Sequence, residues 1–344
     1  MKALVIHAPK DLRIEESNVP NPENDELLID IEVGGVCGSD LHYYNHGGFG
    51  TVKLKAPMIL GHEVSGRVTK LGSDQSNFNI GDLVAVSPSR PCFNCIYCRE
   101  GNHNHCLHMQ FYVSAMPWPH IQGAFRQQLV AKTWQCVKAG DISAGEAAMA
   151  EPLAVALHAT NRIGELLGKR VLVTGCGPIG ILSIIVARRA GAAQIVATDI
   201  TDNALHYASL CGADETINTA NDAASLDHYS AGKGSFDVLY ECSGSVQALT
   251  AGIGALRPCA IALQLGLGGD MNLPMMLLTA KEIDLRGSFR FHPEFKVAVD
   301  MMRSGLIDVK PLITHSIALE NAEDAFTIAN ERDGAMKTQI LFST

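Results

Sequence analysis

The stretch "KRVLVTGCGPIG" at residues 169–180 constrains this chain more than any other. An apolar run that ends in glycine reads as a parallel strand buried on both faces. The next segment, "PIGILSIIVARRAGA", is apolar all round, as a buried helix is. Gly175-x-Gly177-x-x-Gly180 therefore falls between a strand and a helix, the context that gives this common spacing its meaning. The first glycine permits a tight turn, the second lets backbone approach a pyrophosphate, and the third lets helix and strand pack closely. With Pro178 and Ile179 they open the helix whose N-terminal N–H groups face phosphate. Asp199 ends the next strand, "QIVATD", where a carboxylate accepts hydrogen bonds from ribose hydroxyls. "ITDNALH" holds no Arg to neutralise a 2′-phosphate, so the expected cofactor is NAD rather than NADP. The alternative is a glycine turn in an unrelated α/β domain, with Asp199 as a helix cap.

Strand and helix go on alternating through "NALHYASLCGA", "FDVLYECSG", "VQALTAGIGAL" and "CAIALQLGLGG", at lengths that require parallel pairing. Upstream the style differs. "ELLIDIEVGGV", "EVSGRVTKLG", "GDLVAVSP" and "AFRQQLVA" are short β-runs punctuated by turn residues, and Gly66 suggests a bulge or a tight corner. The expected organisation is α/β, with a β-rich domain over 1–148 and 290–344 around a doubly wound parallel-sheet domain over 149–289. The tail after residue 290, too short for a domain, is expected to return to the first.

"CFNCIYCREGNHNHC" places Cys92, Cys95, Cys98 and Cys106 in one loop, residues 92–106. Ten cysteines in a chain with no signal-peptide core read as reduced thiols, and clustered reduced thiols read as metal ligands before disulfides. Four thiolates make a closed tetrahedral zinc site that braces a lobe. His103, His105 and His108 stand by as substitutes for one sulfur, and four unligated thiols are the plain alternative. A second set is dispersed: Cys37 in "GGVCGSDLHYY", His62 and Glu63 in "LGHEVSG", and Glu151 in "MAEPLAVALHA". A thiolate, an imidazole and a carboxylate fit zinc with an open position. Singly, each has a structural explanation (a small core residue, a loop histidine, a carboxylate beside a helix dipole), and spacing alone does not join them.

A formal net charge of −9 without a basic block argues against a nucleic-acid partner. No apolar run reaches membrane-spanning length, so the expectation is a cytoplasmic protein with a small-molecule substrate and no membrane partner.

Taken in order, "GGVCGSDLHYY", "KAPMILGHEVSGRV", the four-cysteine lobe, "AEPLAVALHA" and "VTGCGPIG" resemble the zinc-dependent medium-chain dehydrogenases across essentially the whole chain. The closer likeness is to the polyol branch, which includes sorbitol, xylitol and L-idonate dehydrogenases. "CGSDLHYYNHGGFG", "SRPCFNC", "VSAMPWPHIQGAF" and "LRGSFRF" lean to its L-idonate members. The resemblance implies a GroES-like catalytic domain with a Rossmann domain, a catalytic zinc on Cys37, His62 and Glu151, and Glu63 as a direct, exchanging or outer ligand. It implies a proton relay through Ser39 and His42, with a helix N-cap as the structural role for Ser39. It implies as well that Leu265, Gly266 and Leu267 line the nicotinamide pocket and that Tyr43, Glu151 and Arg290 contact substrate. A homodimer or homotetramer is implied as well. The expected reaction is oxidation of L-idonate to 5-keto-D-gluconate. A neutral polyol such as sorbitol, xylitol or galactitol is the nearest rival, and a non-catalytic nucleotide-binding protein the rival of another class. Alcohol dehydrogenases of the family carry cysteine where Glu151 stands, which argues against simple primary alcohols. Animal sorbitol dehydrogenases often lack the four-cysteine lobe.

Overall fold

The computed structural model describes residues 1–72, 77–221, 225–331 and 334–342. The chain forms two compact units, Met1–Glu151 with Phe295–Thr344, and Pro152–Glu294.

The first unit is built on a seven-stranded sheet. Its order is Cys136–Lys138, Leu83–Val86, Glu63–Leu71, Glu26–Gly35, Lys337–Leu341 and Ile313–Ala318, and Gln128–Lys132 also pairs with Glu26–Gly35. The C-terminal strand Lys337–Leu341 lies antiparallel to Glu26–Gly35, with Gln339 opposite Gly35 and Leu341 opposite Val33. That return places a residue from the end of the chain beside the turn that leads to Cys37. Register slips between Ile31 and Val33, opposite Gly66 and Ser65. A Cβ on Gly66 would strike the Asp30 carbonyl, so the bulge lies on the partner strand and the glycine makes room for it. One core fills this unit, with Ile6, Leu27, Ile29, Tyr43, Phe125, Phe326 and Ile340 all at 1% exposure or less.

The second unit is a six-stranded parallel sheet in the order Glu215–Asn218, Gln194–Asp199, Arg170–Thr174, Phe236–Glu241, Leu256–Gln264 and Asp284–Gly287. Read from the first strand of the unit, this is the 3-2-1-4-5-6 order of a doubly wound sheet. The crevice at its strand reversal, between Arg170–Thr174 and Phe236–Glu241, is where such sheets take ligands. Leu172, Val196, Phe236, Leu239 and Leu256 are fully buried in its core. Among the described residues, no helix is long and apolar enough to cross a membrane.

Candidate active site

The residues that the sequence could not join by spacing come together in the first unit. Ligand atoms of Cys37, His62 and Glu63 all lie within 4.8 Å of one another. Each is aimed by a change of local structure. Cys37 follows the strand Glu26–Gly35 and is the N-cap of the helix Gly38–His46, so Ser39 falls in the first turn rather than at the cap. Glu63 starts the strand Glu63–Leu71, and His62 precedes it. Gly35 is opposite, and a Cβ there would collide with the Glu63 carboxylate. Glu151 lies in the first turn of the helix Ala150–Ile163. Its carboxylate is outside the three-residue cluster but feels the charges of His62, Glu63, Cys37 and Lys337.

The electrostatics of this cluster favour a cation. Burial, reinforced by the Glu63 charge, pushes the Cys37 thiol up to about 11. Burial also pushes the Glu151 carboxyl up to about 8, with His62 opposing and Glu63 and Cys37 adding to the rise. Crowded, desolvated acceptors resist ionising together. A divalent cation is the counter-charge that lets them do so, and a thiolate–imidazole–carboxylate set fits zinc.

Two supporting residues escaped the sequence reading. Asp40 is fully buried. Its carboxylate accepts N–H bonds from Cys37 (3.1 Å) and Gly61 (3.1 Å) and stands 3.8 Å from His62 Nδ1, which makes no hydrogen bond of its own. A carboxylate beside one imidazole nitrogen favours the tautomer that leaves the other free as a metal donor. Burial raises the Asp40 carboxyl against the pull of His62. The available signal was an acidic residue three positions after an N-cap, as in a capping box. Lys337 is the second. Its Nζ donates to both Glu63 oxygens (2.8 and 2.8 Å) and to the Val36 carbonyl (3.2 Å). Burial works against its charge, but Glu63, Cys37 and Glu151 outweigh it and raise the pKa. A lone cation opening the strand "KTQIL" was the only hint.

His42 is partly buried beside Phe49, with ring centroids 6.0 Å apart. Burial, then His46, lowers its pKa, which keeps the ring neutral and able to take a proton. Tyr43 is 1% exposed, and its hydroxyl accepts the Ala115 N–H at 3.1 Å, so it supports the loop that follows Phe111. The Phe111 ring lies 5.9 Å from that of His62.

The sulfurs of Cys92, Cys95, Cys98 and Cys106 also lie within 4.8 Å of one another, without His103, His105 or His108 in the group. All ten cysteines are free, so no disulfide accounts for the cluster. Backbone N–H groups of Cys92 and His108 point at Cys106 Sγ (3.2 and 3.3 Å), and that of Cys95 at Cys92 Sγ (3.3 Å). N–H groups of Cys98 and Leu107 bring Cys95 down to about 6, while burial and the neighbouring sulfurs push Cys98 up to about 12. Four soft donors held this way fit one tetrahedral zinc.

In the second unit the three glycines of the turn divide their work. Gly175 has φ 84, and a Cβ there would meet Ser243. Gly177, the N-cap of the helix Pro178–Arg189, would have nothing within 4 Å of a Cβ, which leaves its backbone open to a ligand. A Cβ on Gly180 would strike the Gly175 carbonyl. Ile179 follows Pro178 in the first helical turn. Asp199 accepts the Cys176 N–H at 2.7 Å through one oxygen and those of Ile200 (2.8 Å) and Thr201 (3.0 Å) through the other. Leu265 and Gly266 are partly exposed and Leu267 is exposed, just past the strand Leu256–Gln264. Arg290 has φ 55, and its guanidinium lies over the Phe289 ring at 4.8 Å.

A doubly wound sheet with this turn in one unit, and a four-cysteine and a Cys37–His62–Glu63 cluster in the other, define a class of oxidoreductase. Residues 23–141 match the alcohol dehydrogenase GroES-like domain, and residues 178–304 match zinc-binding dehydrogenase. The chain belongs to the zinc-binding dehydrogenase family. It is an NAD(P)-dependent enzyme of the polyol and sugar-acid type, acting on CH–OH groups. L-idonate 5-dehydrogenase (NAD(P)+) of Escherichia coli (strain K12) is 42% identical over 344 residues, covering 99% of this chain and 98% of that protein. Sorbitol dehydrogenase of Homo sapiens is 37% identical over 331 residues, covering 94% and 91%. The crystal structure of L-idonate 5-dehydrogenase from Escherichia coli str. K-12 substr. MG1655 superposes with a TM-score of 0.95 at 41% identity, covering 99% of this chain and 97% of that one.

Proposed function

We propose that this enzyme oxidises the secondary hydroxyl of a sugar acid, L-idonate to 5-keto-D-gluconate, with NAD and two zinc ions per chain. The observation that carries the reaction class is the buried Cys37–His62–Glu63 cluster with Glu151 beside it. Cys37, His62 and Glu151 would hold the catalytic zinc, with Glu63, paired with Lys337, as a direct, exchanging or outer ligand. Cys92, Cys95, Cys98 and Cys106 hold the structural one. When bound, zinc would supply Lewis acidity toward the substrate hydroxyl and the dinucleotide a hydride acceptor. Ser39 and the neutral His42 take the hydroxyl proton and pass it outward, since a hydroxyl both donates and accepts. Asp199 binds the ribose hydroxyls, and the absence of Lys or Arg from residues 200–210 supports NAD over NADP. Tyr43, Glu151 and Arg290 are the proposed substrate contacts, Tyr43 once its hydroxyl leaves the Ala115 N–H and Arg290 by bidentate pairing with the aldonate carboxylate. Leu265, Gly266 and Leu267 receive the nicotinamide. The higher identity to the L-idonate enzyme than to the sorbitol enzymes favours the acid over a neutral polyol.

The test is initial rates of NAD reduction on L-idonate beside sorbitol, xylitol and galactitol, with NADP in parallel. A higher kcat/KM for L-idonate, lost in Arg290→Leu, supports the reading. Preference for a neutral polyol, with Arg290→Leu indifferent, discards the carboxylate contact but keeps the zinc chemistry.

A further inference from the structure

Three turns of the second unit meet backbone to backbone, and each is made of glycine. A Cβ on Gly175 would lie 2.6 Å from the Ser243 N, one on Gly266 would strike the Gly244 N, and one on Gly268 the Gly244 carbonyl. Among these turns lies Glu241, the last residue of the strand Phe236–Glu241 and fully buried. One of its carboxylate oxygens accepts from the Ser243 N–H (2.8 Å), the Ser243 hydroxyl and the Gly244 N–H (3.1 Å). The other accepts from Gly244 N–H (3.1 Å) and from the Gln264 amide (2.6 Å). The same Gln264 nitrogen donates onward to the Gly266 carbonyl at 2.7 Å. The Glu241 carbonyl accepts the N–H groups of Leu265 (2.8 Å) and Gly266 (2.9 Å).

Each of these partners of the side chain donates. The site therefore fits an acceptor-only group, and a carboxamide cannot fill it without turning an NH2 toward a donor. Burying a carboxylate is costly, and an apolar residue would hold a strand end more cheaply. What an apolar residue cannot do is fix the direction of the successive Ser243 and Gly244 amides of one turn while pinning the Gly266 turn through Gln264. These turns cap the carboxyl ends of the strands on one side of the strand reversal, and the Gly175 turn caps the other.

We infer that Glu241 is a positioning residue for the dinucleotide. It sets the spacing of the Gly175, Gly244 and Gly266 turns and thereby the shape of the cofactor crevice. This rests on the reading that the crevice takes NAD. The experiment compares wild type, Glu241→Gln and the milder Gln264→Leu for NADH binding by fluorescence, KM for NAD, kcat, KM for the sugar substrate at saturating NAD, and Tm. The expected result is weaker dinucleotide binding by about tenfold in Glu241→Gln and a few-fold in Gln264→Leu, with the sugar KM unmoved. Dinucleotide affinity within about twofold of wild type in both variants, with Tm lowered, would reduce Glu241 to a structural brace and overturn the inference. Should Glu241→Gln not fold, Gln264→Leu decides by the same criterion. Failure of the wild type itself to bind NADH would overturn the cofactor reading first, and the inference with it.

Discussion

Lys337→Met isolates a buried charge next to the proposed metal site. Glu63 is 1% exposed and Lys337 3%, and the ammonium lies 2.8 Å from both carboxylate oxygens. At an effective dielectric near 20 the gross attraction at that distance is about 6 kcal/mol. Much of that only offsets desolvation, so the measurable quantity is the cost of leaving Glu63 unpaired, about 3–5 kcal/mol. The Val36 carbonyl loses its donor too, which adds roughly 1 kcal/mol. Met fills a volume similar to the lysine stem, so cavity formation contributes little. Metal-stripped Lys337→Met should therefore unfold about 5 kcal/mol more easily in urea. Zinc-loaded protein should lose less, because the freed Glu63 gains the metal as a partner. The double variant Glu63→Gln/Lys337→Met, which removes both charges, should recover at least about 2 kcal/mol of the loss. A stripped single variant within about 1 kcal/mol of wild type, or a double variant no more stable than the single, would refute the argument that an orphaned charge is what costs.

Asp40→Asn should lower zinc affinity at the Cys37–His62 site by about 10–100-fold, read by competition with a chromophoric chelator, because the carboxylate facing His62 Nδ1 loses its charge. Cys98→Ser should release one zinc per chain by elemental analysis and open residues 92–106 to proteolysis, while the second zinc stays bound. Glu294 accepts from His158 and Asn161 (3.0 Å each), and though burial opposes its charge, these bonds bring the carboxyl from 4.5 down to about 2. Its contribution is fully present above pH 4.5 and fades as pH falls toward 2, because the unfolded chain takes up the proton first. Glu294→Gln should thus be less stable than wild type at neutral pH and converge with it near pH 2, and a gap independent of pH would disprove the linkage.

Local chemistry was enough for the parts of this protein whose partners are near in sequence. Gly175, Gly177 and Gly180 act within one turn, and each constraint is steric, so the strand–turn–helix and its anion-facing amides could be read from "VTGCGPIG". The four cysteines lie in one loop of fifteen residues, and their convergence needs only that loop to close. The alternation of apolar strands with helices fixed a parallel sheet, because short connections between parallel strands are impossible. Resemblance, rather than spacing, tied Cys37 to His62, Glu63 and Glu151.

The tertiary structure decided what depends on long-range pairing. Lys337 reaches Glu63 across most of the chain length because the strand Lys337–Leu341 pairs with Glu26–Gly35, and no local pattern encodes that register. Asp40 carries no mark in its own short helix beyond that of a capping residue, and the fold buries it against Gly61 and His62. Glu241 ended an apolar strand without any motif to mark it, and its role appears only when the neighbouring strand brings Gln264 alongside. A charged side chain becomes informative once its burial is known, because burial makes a partner obligatory. Burial is a property of the whole packed chain, which the order of residues alone does not display.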